Sequence, residues 1–119
     1  MNYKLLFTLL AGLLVTGCVS TPEPLYYWGH YQGELYGHFK GEKGPEEQIQ
    51  TLEQDAQLAA SEGKALPPGF RAHLGMLYGE TGRMDKMTSY LELEKERFPE
   101  STAFVDFLLS SLKQPEEEQ

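Results

Sequence analysis

Leu74-Gly75-Met76-Leu77-Tyr78-Gly79-Glu80-Thr81-Gly82 decides the fold. Leu74 and Leu77 sit three apart with Tyr78 alongside, which is helical spacing, and Gly82 then supplies a tight turn. Upstream, Leu66-Pro67-Pro68-Gly69 is a firm break. Downstream, Leu91 belongs to a second helix, which Pro99 stops after Phe98. The spacing predicts a helical hairpin from about Pro68 to Ser101. Gly75 lets the paired helix come close, and Tyr78 wedges between the two.

This pattern resembles a tetratricopeptide repeat, a helix-turn-helix of about 34 residues. The match covers one unit, with departures: Arg71 stands where the repeat favours a large aromatic, and Met87 and Glu94 where it favours alanine. Another kind of helical hairpin would share these spacings. A preceding unit from Tyr27 to Gly63 reads as a degenerate copy whose spacings do not align cleanly. Beyond the hairpin, Ser101 is a candidate N-cap for a last helix with Phe104, Val105, Leu108, Leu109 and Leu112 on its apolar stripe. Repeat arrays need such a helix to cover their final face.

Working back towards the N-terminus, Leu25-Tyr26-Tyr27-Trp28-Gly29-His30-Tyr31 is the densest aromatic run. Tyr27 or Trp28, Tyr31, Leu35 and Phe39 recur at helical spacing and predict a helix from about Tyr27 to Lys40. Gly29, Gly33 and Gly37 fall four apart, suggesting a face packed closely on another helix. The next helix opens at Pro45 with Glu46 and Glu47 in its first turn and closes at Gly63. Its apolar stripe is Ile49, Leu52, Ala56, Ala59 and Ala60, which leaves Gln50, Gln54, Asp55 and Gln57 to solvent. The expected fold is all-α, about five helices in hairpins resembling a tetratricopeptide array. The domain spans 27–113, and an acidic tail, 114–119, is expected to be disordered.

Ahead of the domain lies a lead, 1–17, with Lys4 as a short basic region and an uncharged apolar run from Leu5 to Val15. That run is shorter than the ~20 residues that span a bilayer, so it reads as a signal-peptide core. Val15-Thr16-Gly17-Cys18 resembles the bacterial lipobox. The resemblance implies cleavage between Gly17 and Cys18, diacylglycerol on the Cys18 thiol, and palmitate among the lipids of that residue. Residues 18–26 then form a tether, kept extended by Pro22 and Pro24. Val19 stands where an Asp would resemble an inner-membrane retention signal. The expected location is therefore the periplasmic face of the outer membrane, for a Gram-negative host.

Charge narrows the partners. Of the 10 Lys and Arg, Lys4 falls in the lead, leaving 9 against 18 Asp and Glu and a net charge of −9. This balance argues against nucleic acid and against electrostatic adhesion to anionic lipid. No serine has the setting of a catalytic nucleophile, no glycine pattern suggests a phosphate cradle, and the histidines lack metal-ligand spacing. Glu92, Glu94 and Glu96 read as a solvated face shared with Lys95 and Arg97. No enzyme, metal or other cofactor is expected.

Over its mature length the chain resembles a family of small bacterial lipoproteins of unknown function. The resemblance rests on the aromatic run 25–31, on Leu74-Gly75-Met76-Leu77-Tyr78-Gly79 and on Phe98-Pro99-Glu100-Ser101. Members are typically encoded beside a lipoprotein similar to the curli-secretion channel, which implies a role in an outer-membrane secretion or envelope-assembly complex. The expected function is a lipid-anchored, periplasm-facing helical adaptor that binds such a secretion-channel-like lipoprotein or another envelope protein. The aromatic run reads first as core packing, with a seat at the membrane interface or a platform for a ligand or partner as the competing readings. Candidate contacts are the exposed portions of Tyr26, Tyr27, Trp28 and Tyr31, with Arg71, His73 and Tyr78. The alternative is a stand-alone structural lipoprotein that holds a cell-wall fragment or small molecule, with its aromatics closed around Trp28.

Overall fold

The computed structural model describes residues 2–4, 17–18 and 20–113. The apolar core of the lead and the acidic tail lie outside the described residues. Among the described residues from 20 to 113 the chain forms five helices: α1 (Tyr31–Lys40), α2 (Pro45–Ser61), α3 (Phe70–Glu80), α4 (Met84–Arg97) and α5 (Thr102–Lys113). A single 3-10 turn, Pro99–Ser101, joins the last two. Among the described residues the one β-type contact is an isolated parallel bridge between Tyr26 and Ala65. The all-α class is as expected.

Helices α1 and α2 form one hairpin, α3 and α4 a second, and α5 packs on the second. Gly41 (φ +68°) ends α1, Gly63 (φ +65°) ends α2, and Gly82 (φ +80°) turns α3 into α4. At the last, Arg83 N–H reaches back to Tyr78 O at 2.9 Å and satisfies a carbonyl that the helix leaves open. The main core gathers Tyr31, Ile49, Leu52, Ala59, Leu66, Phe70, Leu74, Leu77 and Tyr78. A smaller one joins Ala72, Met87, Leu91 and Val105 and seats α5.

Four expectations need correction. The first helix begins at Tyr31, not Tyr27. Residues 26–28 are extended because Tyr27 N–H donates to Ala65 O at 2.8 Å, and Gly29 turns the chain with φ +45°. The glycines do not make a close-packed face either: a Cβ at Gly33 would meet nothing within 4 Å, and one at Gly37 only the Lys43 side chain at 4.0 Å. Ser101 does not cap α5, since it lies in the 3-10 turn and its hydroxyl donates back to Phe98 O at 2.8 Å.

The fourth correction concerns charge. Asp55 and Glu94 are not solvated: they are 1% and 2% exposed. Asp55 accepts from His30 N–H at 2.6 Å, at the start of α1. Glu94 accepts from Gly69 N–H at 2.6 Å and Ala72 N–H at 3.3 Å, at the start of α3. The first turn of a helix has N–H groups without internal acceptors and the positive end of the dipole, so a carboxylate there is well placed. In each hairpin the second helix supplies it from 25 residues downstream.

The two caps are spaced alike. An offset of 39 residues carries His30 onto Gly69 and Asp55 onto Glu94. The same offset carries Tyr31 onto Phe70, Glu34 onto His73, Gln48 onto Met87 and Leu52 onto Leu91, and every one of these is buried. At these positions the two hairpins share burial with little identity of residue type, whereas further along the first helix they part: exposed Tyr36 and Phe39 fall on buried Gly75 and Tyr78, and buried Gly37 falls on exposed Met76.

Candidate interaction surface

The segment before α1 is strapped to the link between the hairpins. Glu23 pairs with Lys64 at 3.4 Å, and the Tyr26 bridge to Ala65 follows three residues later. A line of rings runs on from there. Phe98 meets Tyr26 edge-on at 6.2 Å, and Tyr26 meets Trp28 edge-on at 6.4 Å. Trp28 stacks on Tyr31 at 6.4 Å, and Tyr31 tilts against Phe70 at 5.4 Å. Such pairs contribute about 0.5–1.5 kcal/mol each beyond area burial. The line starts at the end of α4 and finishes at the start of α3, so it covers the open end of the second hairpin.

The candidate contact residues divide by exposure. Trp28 is 40% exposed and its neighbour Leu25 is 78% exposed; Tyr26 and Tyr27 are half-buried. Tyr31, His73 and Tyr78 are buried. Tyr78 stacks on Tyr90 at 5.5 Å, lies under the Arg83 guanidinium at 4.7 Å, and donates its hydroxyl to Glu53. It therefore ties α2 to the second hairpin, and burial followed by that bond pushes its phenol well above the usual tyrosine range. Arg71 is half-buried with one guanidinium nitrogen, Nη1, unpartnered. Burial lowers its pKa, opposed by Glu94 and aided by Arg97.

His73 faces His38 across the α1–α3 contact, with ring centroids 5.1 Å apart. Burial first, and the neighbouring His38 ring second, lower its pKa to about 4. The His73 Nε2 atom has no partner, nor do Glu34 Oε2 and Gln48 Oε1 nearby in the chain network. Glu34 is held on its other oxygen by Lys43 at 2.6 Å, and Gln48 Nε2 lies 3.4 Å from His38 Nδ1. Among the described residues no group of three His, Cys, Asp or Glu side chains could hold a metal ion.

Two open grooves lie away from the aromatic line. One, of about 450 Å³, runs along α2 past Glu46, Glu53 and Gln57 to Tyr78 and Arg83. The other, of about 350 Å³, is apolar and lies at the turn end of the second hairpin, between Met76, Met84 and Met87 on one side and Leu108 and Leu112 on the other. Methionines line such surfaces well because their flexible thioethers adapt to irregular partners. Helix α3 has 11 residues, or about 16 Å at 1.5 Å per residue, and its length separates the strapped open end from this groove.

Sequence reasoning missed Met76, Met84 and Leu112 as surface candidates, because each sits at the margin of a stripe that reads as core. Cys18 is exposed and free. Among the described residues no helix is long and apolar enough to cross a membrane. One family matches residues 25–108, and its description is a domain of unknown function (DUF4810). No curated protein and no solved structure matches the chain.

Proposed function

We propose, for a chain that belongs to the DUF4810 family of uncharacterised domains, the role of a lipid-anchored helical adaptor at the outer membrane. Cys18 carries the lipid, and the body faces the periplasm. The observation that carries this reading is the opposition of two ends. The segment leading from Cys18 is strapped across the open end of the second hairpin, while the methionine-lined groove lies at its turn end. An anchor at one end and an adaptable apolar groove at the other suit a subunit that holds a partner beside a membrane. Anchoring raises the effective concentration of each for the other.

The partner we favour is a second envelope lipoprotein of the secretion-channel type, on the strength of the resemblance carried by residues 25–31 and 74–79. The open aromatic line, with Trp28 at its exposed edge, weighs against a stand-alone lipoprotein whose aromatics close around a small ligand. Crosslinking followed by purification from detergent-solubilised membranes tests the adaptor reading. Recovery of an envelope protein, lost on Leu112→Glu at the groove, is the expected result. Recovery of the chain by itself under the same crosslinking overturns it.

A further inference from the structure

We infer that the edge formed by Leu25 and Trp28 is a bilayer-docking surface, which inserts at the headgroup level of the membrane that carries Cys18. This rests on the anchoring just proposed and adds to it an orientation of the body. Three observations carry it.

The first is reach. Cys18 is five residue steps from Glu23, where the chain is first pinned to the body through Lys64. At about 3.1 Å per residue for a proline-rich extended chain, that is roughly 16 Å. A body pinned so close to its lipid cannot keep this end far from the surface.

The second is the chemistry of the edge. Leu25 is 78% exposed and Trp28 40% exposed, an apolar side chain and an indole whose N–H suits the headgroup boundary. Tyr26 and Phe98 back them. The edge is preformed, because the Tyr26–Ala65 bridge fixes the backbone between the two side chains.

The third is charge. The chain has 18 Asp and Glu, yet none falls between residues 24 and 33. The acidic groups flanking that window are held in ion pairs: Glu23 by Lys64, which Glu62 shares, and buried Glu34 by Lys43, which Glu47 shares. Asp55, which approaches the window from α2, is buried against His30. The acidic body thus carries no Asp or Glu along the segment that follows the proposed lipid attachment point most closely. The charge balance also selects the lipid: a neutral, zwitterionic surface is favoured over an anionic one.

Trp28 is the only tryptophan, so its fluorescence reports this edge alone. The experiment uses lipidated protein purified from membranes and reconstituted into phosphatidylcholine vesicles, with and without brominated acyl chains. Mass spectrometry first establishes the lipid on Cys18. The expected result is a blue-shifted Trp28 emission, quenched by brominated lipid and protected from acrylamide. Leu25→Glu should abolish the shift while leaving the circular dichroism and the lipid in place. A lipidated protein whose Trp28 emission matches that in detergent-free buffer, with full acrylamide access, overturns the inference and leaves the anchor intact. A Trp28 shielded by a co-purifying protein and not by vesicles also overturns it. Absence of lipid on Cys18 overturns both the anchor and the docking surface.

Discussion

The carboxylate of Asp55, buried on α2, accepts the backbone N–H of His30 at 2.6 Å and faces His30 Nδ1 at 2.9 Å. It is the cap of a helix that lacks a cap of its own, since no side chain of the α1 N-terminus fills that role. Glu94 does the same for α3 through Gly69 and Ala72. Removing either carboxylate leaves N–H groups at a helix start without their acceptor. Asp55→Ala and Glu94→Ala should each destabilise the fold by about 2–3 kcal/mol, the range for lost charged hydrogen bonds and a lost cap. Urea unfolding of these variants, set beside Glu92→Ala and Glu96→Ala on the exposed face of α4, checks this. The exposed pair should stay within about 0.5 kcal/mol of the parent.

Glycines give a sign test. Gly33 lies inside α1 with open space where a methyl group would go, so Gly33→Ala should raise stability by about 0.5–1 kcal/mol. Gly75→Ala should do the opposite. Its Cβ would sit 3.2 Å from the Met87 carbonyl oxygen and from Tyr90 Cβ, and overpacking of that kind costs about 1–3 kcal/mol. Thermal melts of the two variants should shift in opposite directions.

His73 makes stability fall in mild acid. Its folded pKa of about 4 lies below its ordinary 6.5, so the unfolded chain takes up the proton first. The stabilisation from keeping the ring neutral is full above about 6.5 and is lost progressively as pH falls from there towards 4. At about 1.4 kcal/mol per pKa unit the loss approaches 3 kcal/mol. His73→Leu should flatten the dependence of unfolding free energy on pH across that window. An unchanged slope would show that another group governs it.

Cys18 is exposed, so Cys18→Ser should leave the body as stable as the parent, within about 0.5 kcal/mol. The same variant should shift the protein from the membrane pellet to the soluble fraction. A Cys18→Ser protein that stays with the membrane would place its attachment elsewhere.

The second hairpin was legible because its signals are local. Gly82 and Pro99 act through their own backbones, and Gly75 faces the turn-linked helix; the close Met87 and Tyr90 contacts answer that reading. The first hairpin was harder to read. Tyr27, Trp28 and Tyr31 have helical spacing, but the partner that straightens Tyr27 is Ala65, whose pairing no local pattern announces. Charge alone places Asp55 and Glu94 in solvent, although each follows a buried leucine by three residues, Leu52 and Leu91. On a helix that places them on the inward stripe. Their acceptors serve backbone groups 25 residues away, and only the shared 39-residue offset of the two hairpins would have disclosed it. Trp28 was legible as a surface candidate. Tyr31, His73 and Tyr78 were harder, because aromatic and histidine side chains serve a core as readily as a contact face.

The strap has a mechanical consequence. Tension drawn through the anchor proposed at Cys18 would not peel α1 from its own end. It would fall on Lys64 and Ala65, in the linker between the hairpins, through the Glu23 ion pair and the Tyr27–Ala65 hydrogen bond. The point where the body is towed is thus a seam in the middle of the chain. A pull from the membrane would load that seam before any helix, and would bear on the two hairpins together.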